Sequence, residues 1–330
     1  MKYRRLGKSN LEVSQVCLGT MHFGSRNTED ESFQIMDKAL DMGINFFDTA
    51  NVYSYKGKSE EIIGRWMQER GTRDAIVLAT KVYGNMKDES IPNEASGISA
   101  YKVRKHVEGS LRRLQTDHID LYQVHHIDRT ITPEEFWGTF DRLINDGKVL
   151  YMGSSNFPGW GLATHQMEAL RRGSMGFISE QTMFNLLCRY PELEVLPAAE
   201  ALGIGLIPYM PLAGGLLTGK KKSVEGSRTH QVEGQYGISL GDTNEQMNEF
   251  SKLCAELGEK EHVVAIAWTL SHPVVASPIV GVRTVEHLDG LDRAAELEFD
   301  SETLQQLDVI FDPNKGRPLR LGHAPEAYAW

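Results

Sequence analysis

Cysteine is scarce: Cys17, Cys188 and Cys254 lie far apart in 330 residues and form no C-x-x-C. That spacing provides neither a disulfide framework nor a thiolate metal knuckle, and predicts a reducing compartment with the thiols as small buried hydrophobes. Long apolar runs are missing too, none approaching the ~20 residues of a membrane span. The polar start, Met1-Lys2-Tyr3-Arg4-Arg5-Leu6-Gly7, has no apolar stretch behind it to act as a secretion signal. The expectation is a cytoplasmic protein. Positive charge is in deficit, with a formal net charge of −10, which argues against nucleic acid or an anionic membrane as partner. A G-x-G-x-x-G fingerprint is absent, so a dinucleotide would have to be held without a Rossmann unit. With no close repeat, no low-complexity linker and no shift in composition, residues 1–330 are expected to form one domain.

What is present is an alternation of short apolar runs with longer amphipathic ones. Tyr3–Leu6 and Leu11–Ser14 flank the turn-prone Gly7-Lys8-Ser9-Asn10 and predict a β-hairpin. Strands are then expected at Val16–Gly19, Asn45–Asp48, Ile76–Lys81, Ile119–His125, Val149–Ser154, Phe177–Gln181, Gly205–Pro208 and Val275–Val280. Between and after them the helical period predicts Glu31–Met42, Glu60–Arg70 capped by Ser59, Val103–Leu114, Pro133–Asp146, Leu162–Arg172 and Leu193–Leu202. Further helices are expected at Glu245–Leu257, Val263–Ser271, Val285–Leu297 and Glu302–Ile310. Alternating strands and helices imply a parallel sheet, and eight such units close into a (β/α)8 TIM barrel. It carries an N-terminal hairpin, an extra C-terminal helix, and a long segment after the seventh strand, Pro211–Thr243, that exceeds an ordinary connection.

A barrel gathers its chemistry at the C-terminal tips of its strands. Asp48, Lys81 and His125 fall at three such tips, and Tyr53 follows one of them closely. Tyrosine titrates near ~10 and needs help to act as an acid at neutral pH. A nearby Lys81 cation should lower the pKa of Tyr53, while Asp48 holds the lysine in place and charged. His125 could orient a carbonyl or share the proton, and the four together suit proton transfer to a ketone or aldehyde oxygen. His125 and His126 resemble a metal pair, but neighbours on a strand point to opposite sides, so no metal site is expected. His22, Phe23, Tyr83 and His126, with Met21, Tyr55 and Trp160, are candidates for lining a pocket for a small carbonyl or sugar-like substrate.

Gly214-Gly215-Leu216-Leu217-Thr218-Gly219-Lys220-Lys221 imitates a phosphate loop, but lysine stands where Ser or Thr would bind magnesium. Its glycine-freed amides and Lys220 nevertheless suit a diphosphate. Gly281-Val282-Arg283-Thr284 opens the expected last helix and adds amides and a guanidinium for a second phosphate. Ser155, Asn156 and Gln181, at the tips of the fifth and sixth strands, offer the donors and acceptors a carboxamide needs, and Tyr209 could stack on a flat ring.

These stretches resemble the aldo-keto reductase superfamily, in its bacterial branch related to potassium-channel β subunits, nearly end to end from Tyr3 through Leu297. The resemblance is carried by Phe47-Asp48-Thr49-Ala50-Asn51-Val52-Tyr53, Leu111-Arg112-Arg113-Leu114-Gln115-Thr116-Asp117 and Asp120-Leu121-Tyr122-Gln123-Val124-His125. Gly147-Lys148-Val149, Gly153-Ser154-Ser155-Asn156 and Pro211-Leu212-Ala213-Gly214-Gly215-Leu216-Leu217-Thr218-Gly219-Lys220 complete it. It implies an NADP(H)-dependent oxidoreductase with Tyr53 as general acid, Lys81 and Asp48 as its tuners, and His125 as partner of the carbonyl. It further implies Ser155, Asn156 and Gln181 at the nicotinamide carboxamide, with Tyr209 on the ring. Pro211, Leu212, Gly214, Leu216, Thr218, Lys220, Gly281 and Arg283 would surround the diphosphate and 2′-phosphate. The chain departs from the family pattern at His287 and Leu291, where Gln and Asn are common; Arg283 still favours NADPH, because a guanidinium suits a phosphate. Two other readings use the same residues: a low-turnover NADP(H)-binding redox-sensing subunit, and a Schiff-base aldolase built on Lys81.

Overall fold

The computed structural model describes residues 1–87, 90, 93–220, 225, 229–231, 233 and 244–312. The tail from Arg317 to Trp330 and most of the segment from Lys221 to Thr243 lie outside the described residues.

Two three-residue strands, β1 (Tyr3–Arg5) and β2 (Glu12–Ser14), pair antiparallel as the hairpin expected from the turn between them. The barrel strands are β3 (Cys17–Gly19), β4 (Phe46–Asp48), β5 (Val77–Val82), β6 (Ile119–Val124), β7 (Val149–Ser155), β8 (Phe177–Gln181), β9 (Gly205–Leu206) and β10 (Ile279–Gly281). All neighbours pair in parallel in the order β10-β3-β4-β5-β6-β7-β8-β9. Parallel bridges from Leu206 to Val275 and from Tyr209 to Ile279 join the two ends, and the (β/α)8 barrel closes.

Helices α1 (Glu29–Asp41), α2 (Tyr53–Arg70), α3 (Ala100–Leu114), α4 (Pro133–Asn145), α5 (Gly159–Arg171) and α6 (Val195–Leu202) follow their strands. The chain ends with α7 (Glu245–Glu256), α8 (Glu261–Leu270), α9 (Leu291–Glu296) and α10 (Ser301–Ile310). Side-chain caps by Thr28, Ser99, Thr132, Asn244 and Asp300 start five of these helices where orphan amides need an acceptor.

Two apolar clusters divide the core. The larger fills the layer between strands and helices and holds Trp66, Trp137 and Trp268, as their helical positions implied. The smaller fills the barrel interior with Cys17, Phe46, Val77, Ala79, Leu121, Ile178, Ile207 and Ala276, and the hairpin's Leu6 and Val13 plug its N-terminal end. Gly7 permits that plug: at φ +55° its missing Cβ would stand 2.3 Å from the carbonyl oxygen of Ile178. Because the bottom of the barrel is filled and apolar, the polar inward positions collect at the opposite, C-terminal end.

The structure differs from expectation in several places. The fourth barrel strand stops at Val124, so His125 and His126 sit beyond it. The seventh strand ends at Leu206 ahead of Pro208, and the eighth runs over Ile279–Gly281 because Pro278 cannot donate to the ladder. The helix expected over Val285–Leu297 breaks into a 3-10 turn, Val285–Leu288, and the short α9, separated by Gly290 at φ +85°. Gly281–Thr284 therefore opens one 3-10 turn and no long helix. At the start of α2, Ser54, Tyr55, Lys56 and Gly57 all have positive φ, and regular helix follows them. Ser59 does not cap it; its buried hydroxyl lies 3.0 Å from those of Thr20 and Thr49 and donates to the carbonyl of Thr20. Among the described residues no helix is long and apolar enough to cross a membrane.

Candidate active site

Strand register builds the site. Asp48 pairs with Ala79, and Lys81 lies two residues further along β5, on the same inward face. Lys81 is fully buried and spends its three ammonium hydrogens on three oxygens. Its Nζ donates to Asp48 Oδ2 at 2.6 Å, to the Thr49 carbonyl at 2.8 Å and to Tyr53 Oη at 3.1 Å. Directly after Tyr53 the left-handed residues Ser54–Gly57 interrupt α2 before its regular helix resumes. With Lys81 bound to one lone pair of its oxygen, Tyr53 keeps its own O–H for a partner in the mouth.

Electrostatics set the protonation states. Burial works against the charge of Lys81, but Asp48 and Tyr53 outweigh it and lift its pKa above the usual lysine value. Sequence reasoning expects Lys81 to lower the pKa of Tyr53; in the structure desolvation wins and the phenol is raised. Tyr53 is therefore a protonated donor throughout the neutral range. Desolvation first, then Lys81 and His126, push His125 well below the ordinary histidine value, so it is a neutral imidazole. Its ring meets that of Tyr53 edge-on, with centroids 5.8 Å apart.

His125 and His126 do not point to opposite sides. Beyond the strand end the alternation rule lapses, and the two rings stack at 4.9 Å and 3°. Tyr83 packs edge-on against His126 at 5.2 Å, so the mouth has an aromatic wall. Among the described residues no group of three His, Cys, Asp or Glu side chains could hold a metal. Of the other substrate candidates, His22 is half-buried, whereas Phe23 is fully buried in the outer core, where its ring serves packing. Tyr55 and Trp160 are mostly exposed.

Ser155, Asn156, Gln181 and Tyr209 converge. Ser155 Oγ donates to the Gln181 carbonyl at 2.8 Å, and Tyr209 Oη donates to Asn156 Oδ1 at 3.0 Å. Asn156, at φ +58°, turns its Nδ2 toward the His125 carbonyl at 3.1 Å. Gln181 is also committed below: its Nε2 donates to Asp48 Oδ1 at 2.9 Å and to Gln123 Oε1 at 3.0 Å. Sequence reasoning passed over Gln123, although period-two alternation places it across from Lys81.

Glu180, fully buried under this ridge, accepts from the Phe157 amide at 3.2 Å. Burial, against bonds from Ser154 and the Phe157 and Asn156 amides, pushes its pKa up from 4.5 to about 8. Folding thus takes up a proton between those values, and the stability tied to this group falls as pH rises through that window. Glu180→Gln should raise the melting temperature by roughly 2–5 °C at pH 8 and by little at pH 5; thermal scans at both values check it.

The phosphate candidates form a second cluster. Pro211, Leu212, Gly214 and Thr218 line the turn after β9, with Gly214 at φ +66° and Thr218 Oγ1 donating to the Gly215 carbonyl at 2.7 Å. Leu216 is buried in the outer core, whereas Lys220, Gly281 and Arg283 are exposed. Arg283 is pinned by Asn27, whose Nδ2 donates to its carbonyl at 2.6 Å, and its amide donates to His287 Nδ1 at 3.2 Å. Burial and then the charges of Lys220 and Arg283 lower the pKa of His287.

The aldo/keto reductase family model matches residues 15–312. The uncharacterized oxidoreductase YrpG of Bacillus subtilis (strain 168) is 50% identical, with 100% of both chains covered. Versiconal hemiacetal acetate reductase of Aspergillus parasiticus is 33% identical over 96% of this chain and 99% of its own. A probable voltage-gated potassium channel subunit beta of Oryza sativa subsp. japonica is 33% identical, covering 88% of this chain and 92% of its own.

Proposed function

This chain belongs to the aldo/keto reductase family, and from that premise we propose that it reduces an aldehyde, ketone or keto-sugar to the alcohol with NADPH, Tyr53 delivering the proton. The observation that carries the reading is the continuous run from Asp48 through Lys81 to Tyr53, ending on a phenolic O–H that donates to no group among the described residues.

The residues present fit a nicotinamide dinucleotide. Asn156 lies beside Tyr209, Gln181 could offer its Oε1, and Lys220, Arg283 and the glycine-freed amides would suit a 2′-phosphate and a diphosphate. When bound, the cofactor supplies the hydride. The chain's residues then do the rest: neutral His125 orients the carbonyl oxygen, Tyr53 donates its proton to that oxygen, and Lys81 steadies the phenolate left behind. Asp48 keeps Lys81 cationic and in place. An aldolase reading fits poorly, because a lysine with all three hydrogens bonded to oxygens has no lone pair to attack a carbonyl.

The reading is tested by NADPH oxidation against aldehydes, ketones and oxidised sugars, with consumption of at least one class expected. Tight NADPH binding without turnover of any would favour instead a low-turnover redox-sensing subunit. Arg283→Leu should weaken NADPH about tenfold and leave NADH unchanged, since only the former carries the 2′-phosphate; fluorescence titration with both cofactors at low salt measures it.

A further inference from the structure

Gln123 is fully buried on β6, opposite Lys81 on one side and Gly153 on the other. Its Nε2 donates to Asp48 Oδ1 at 2.9 Å, the same oxygen that accepts from Gln181. The two carboxylate oxygens of Asp48 are thus divided, Oδ2 to the ammonium of Lys81 and Oδ1 to a pair of amides. Gly153 makes the space: a Cβ there would stand 3.1 Å from Gln123 Cγ and 2.4 Å from Ser179 Oγ. A carboxylate held only through Oδ2 could turn about its last torsion and carry the ammonium with it. Two donors on Oδ1 fix its plane. A glutamine meets both demands here, since its nitrogen serves Asp48 while its oxygen receives Gln181.

We propose that Gln123 is a positioning residue of the reduction: it locks the carboxylate plane of Asp48, thereby aims Lys81 at Tyr53, and through Gln181 couples that aim to the cofactor-facing ridge. The proposal rests on Tyr53 as proton donor. Gln123 is fully buried and acts through Asp48, so its loss acts on rate more than on binding.

Gln123→Met keeps the length and removes both bonds; Gln123→Glu keeps the shape and adds a second carboxylate beside Asp48. In Gln123→Met, kcat should fall roughly 10- to 100-fold, the rate equivalent of a hydrogen bond to a charged group. NADPH affinity, measured by fluorescence, should change less than about threefold. In Gln123→Glu the added negative charge should hold the Tyr53–Lys81 proton more tightly, moving the alkaline limb of the kcat–pH profile up by about one unit. Wild-type kcat and an unmoved limb in both variants would overturn the proposal. So would a loss that merely tracks melting temperature and NADPH affinity, with the limb in place. Tyr53→Phe, run alongside, separates the two levels: its inactivity beside wild-type Gln123 variants overturns only the role of Gln123, whereas its full activity overturns both.

Discussion

Tyr53→Phe lowers kcat for carbonyl reduction by about 10²- to 10⁴-fold, the range of a lost general acid. The size follows from what the hydroxyl alone supplies. Phenylalanine retains the ring, and with it the edge-on contact to His125 and the Lys81 ammonium 4.7 Å from the ring centroid. No residue steps in, because Lys81 is engaged with Asp48 and Thr49 and His125 is held neutral. The variant should bind NADPH like the wild type and melt within a few degrees of it. In the wild type the raised pKa of Tyr53 keeps the donor protonated, so kcat should stay flat through neutral pH and fall only on the alkaline side. A steady-state pH profile with paired NADPH titrations checks both statements.

The second large effect lies in the buried ion pair. Lys81→Met should abolish reduction, because Lys81 is the group that pulls the phenol's pKa down against desolvation and Asp48. Removing one partner of a buried pair costs about 3–5 kcal/mol of stability, since the other charge is left without its counterion. The two single variants should not be equal. Asp48 without Lys81 still accepts from Gln123 and Gln181, whereas Lys81 without Asp48 retains only a carbonyl and a phenol. Asp48→Leu should therefore unfold at lower denaturant than Lys81→Met. The double variant, with both charges gone, should recover much of that stability and none of the activity. Denaturant titrations of the four proteins give the cycle, and equal stability of all four would contradict the buried pair described here.

Much of this was readable in the residues because barrels obey short rules. Strand-end placement located Asp48 and Lys81, and the turn chemistry of Gly7 announced the hairpin. What escaped were effects of three-dimensional context. The stacking of His125 on His126 depends on where β6 stops, one residue short of the expected His125. The net pKa of Tyr53 depends on how dry its pocket is, a quantity no local pattern carries. Gln123 and Glu180 looked like ordinary strand residues, and only register shows one reaching Asp48 and the other buried beneath Asn156. The broken last helix turned on Gly290, whose positive φ interrupts an otherwise regular apolar period.

The most direct test of the central claim follows an isotope. Wild-type protein is given NADPH deuterated at C4 of the nicotinamide and an aldehyde that it consumes, and the alcohol is analysed by mass spectrometry. The account predicts one deuterium on the carbinol carbon, with a Tyr53→Phe protein that binds the same cofactor forming almost no product. Alcohol formed without deuterium when either C4 hydrogen is labelled, or labelled product from Tyr53→Phe at the wild-type rate, would contradict it.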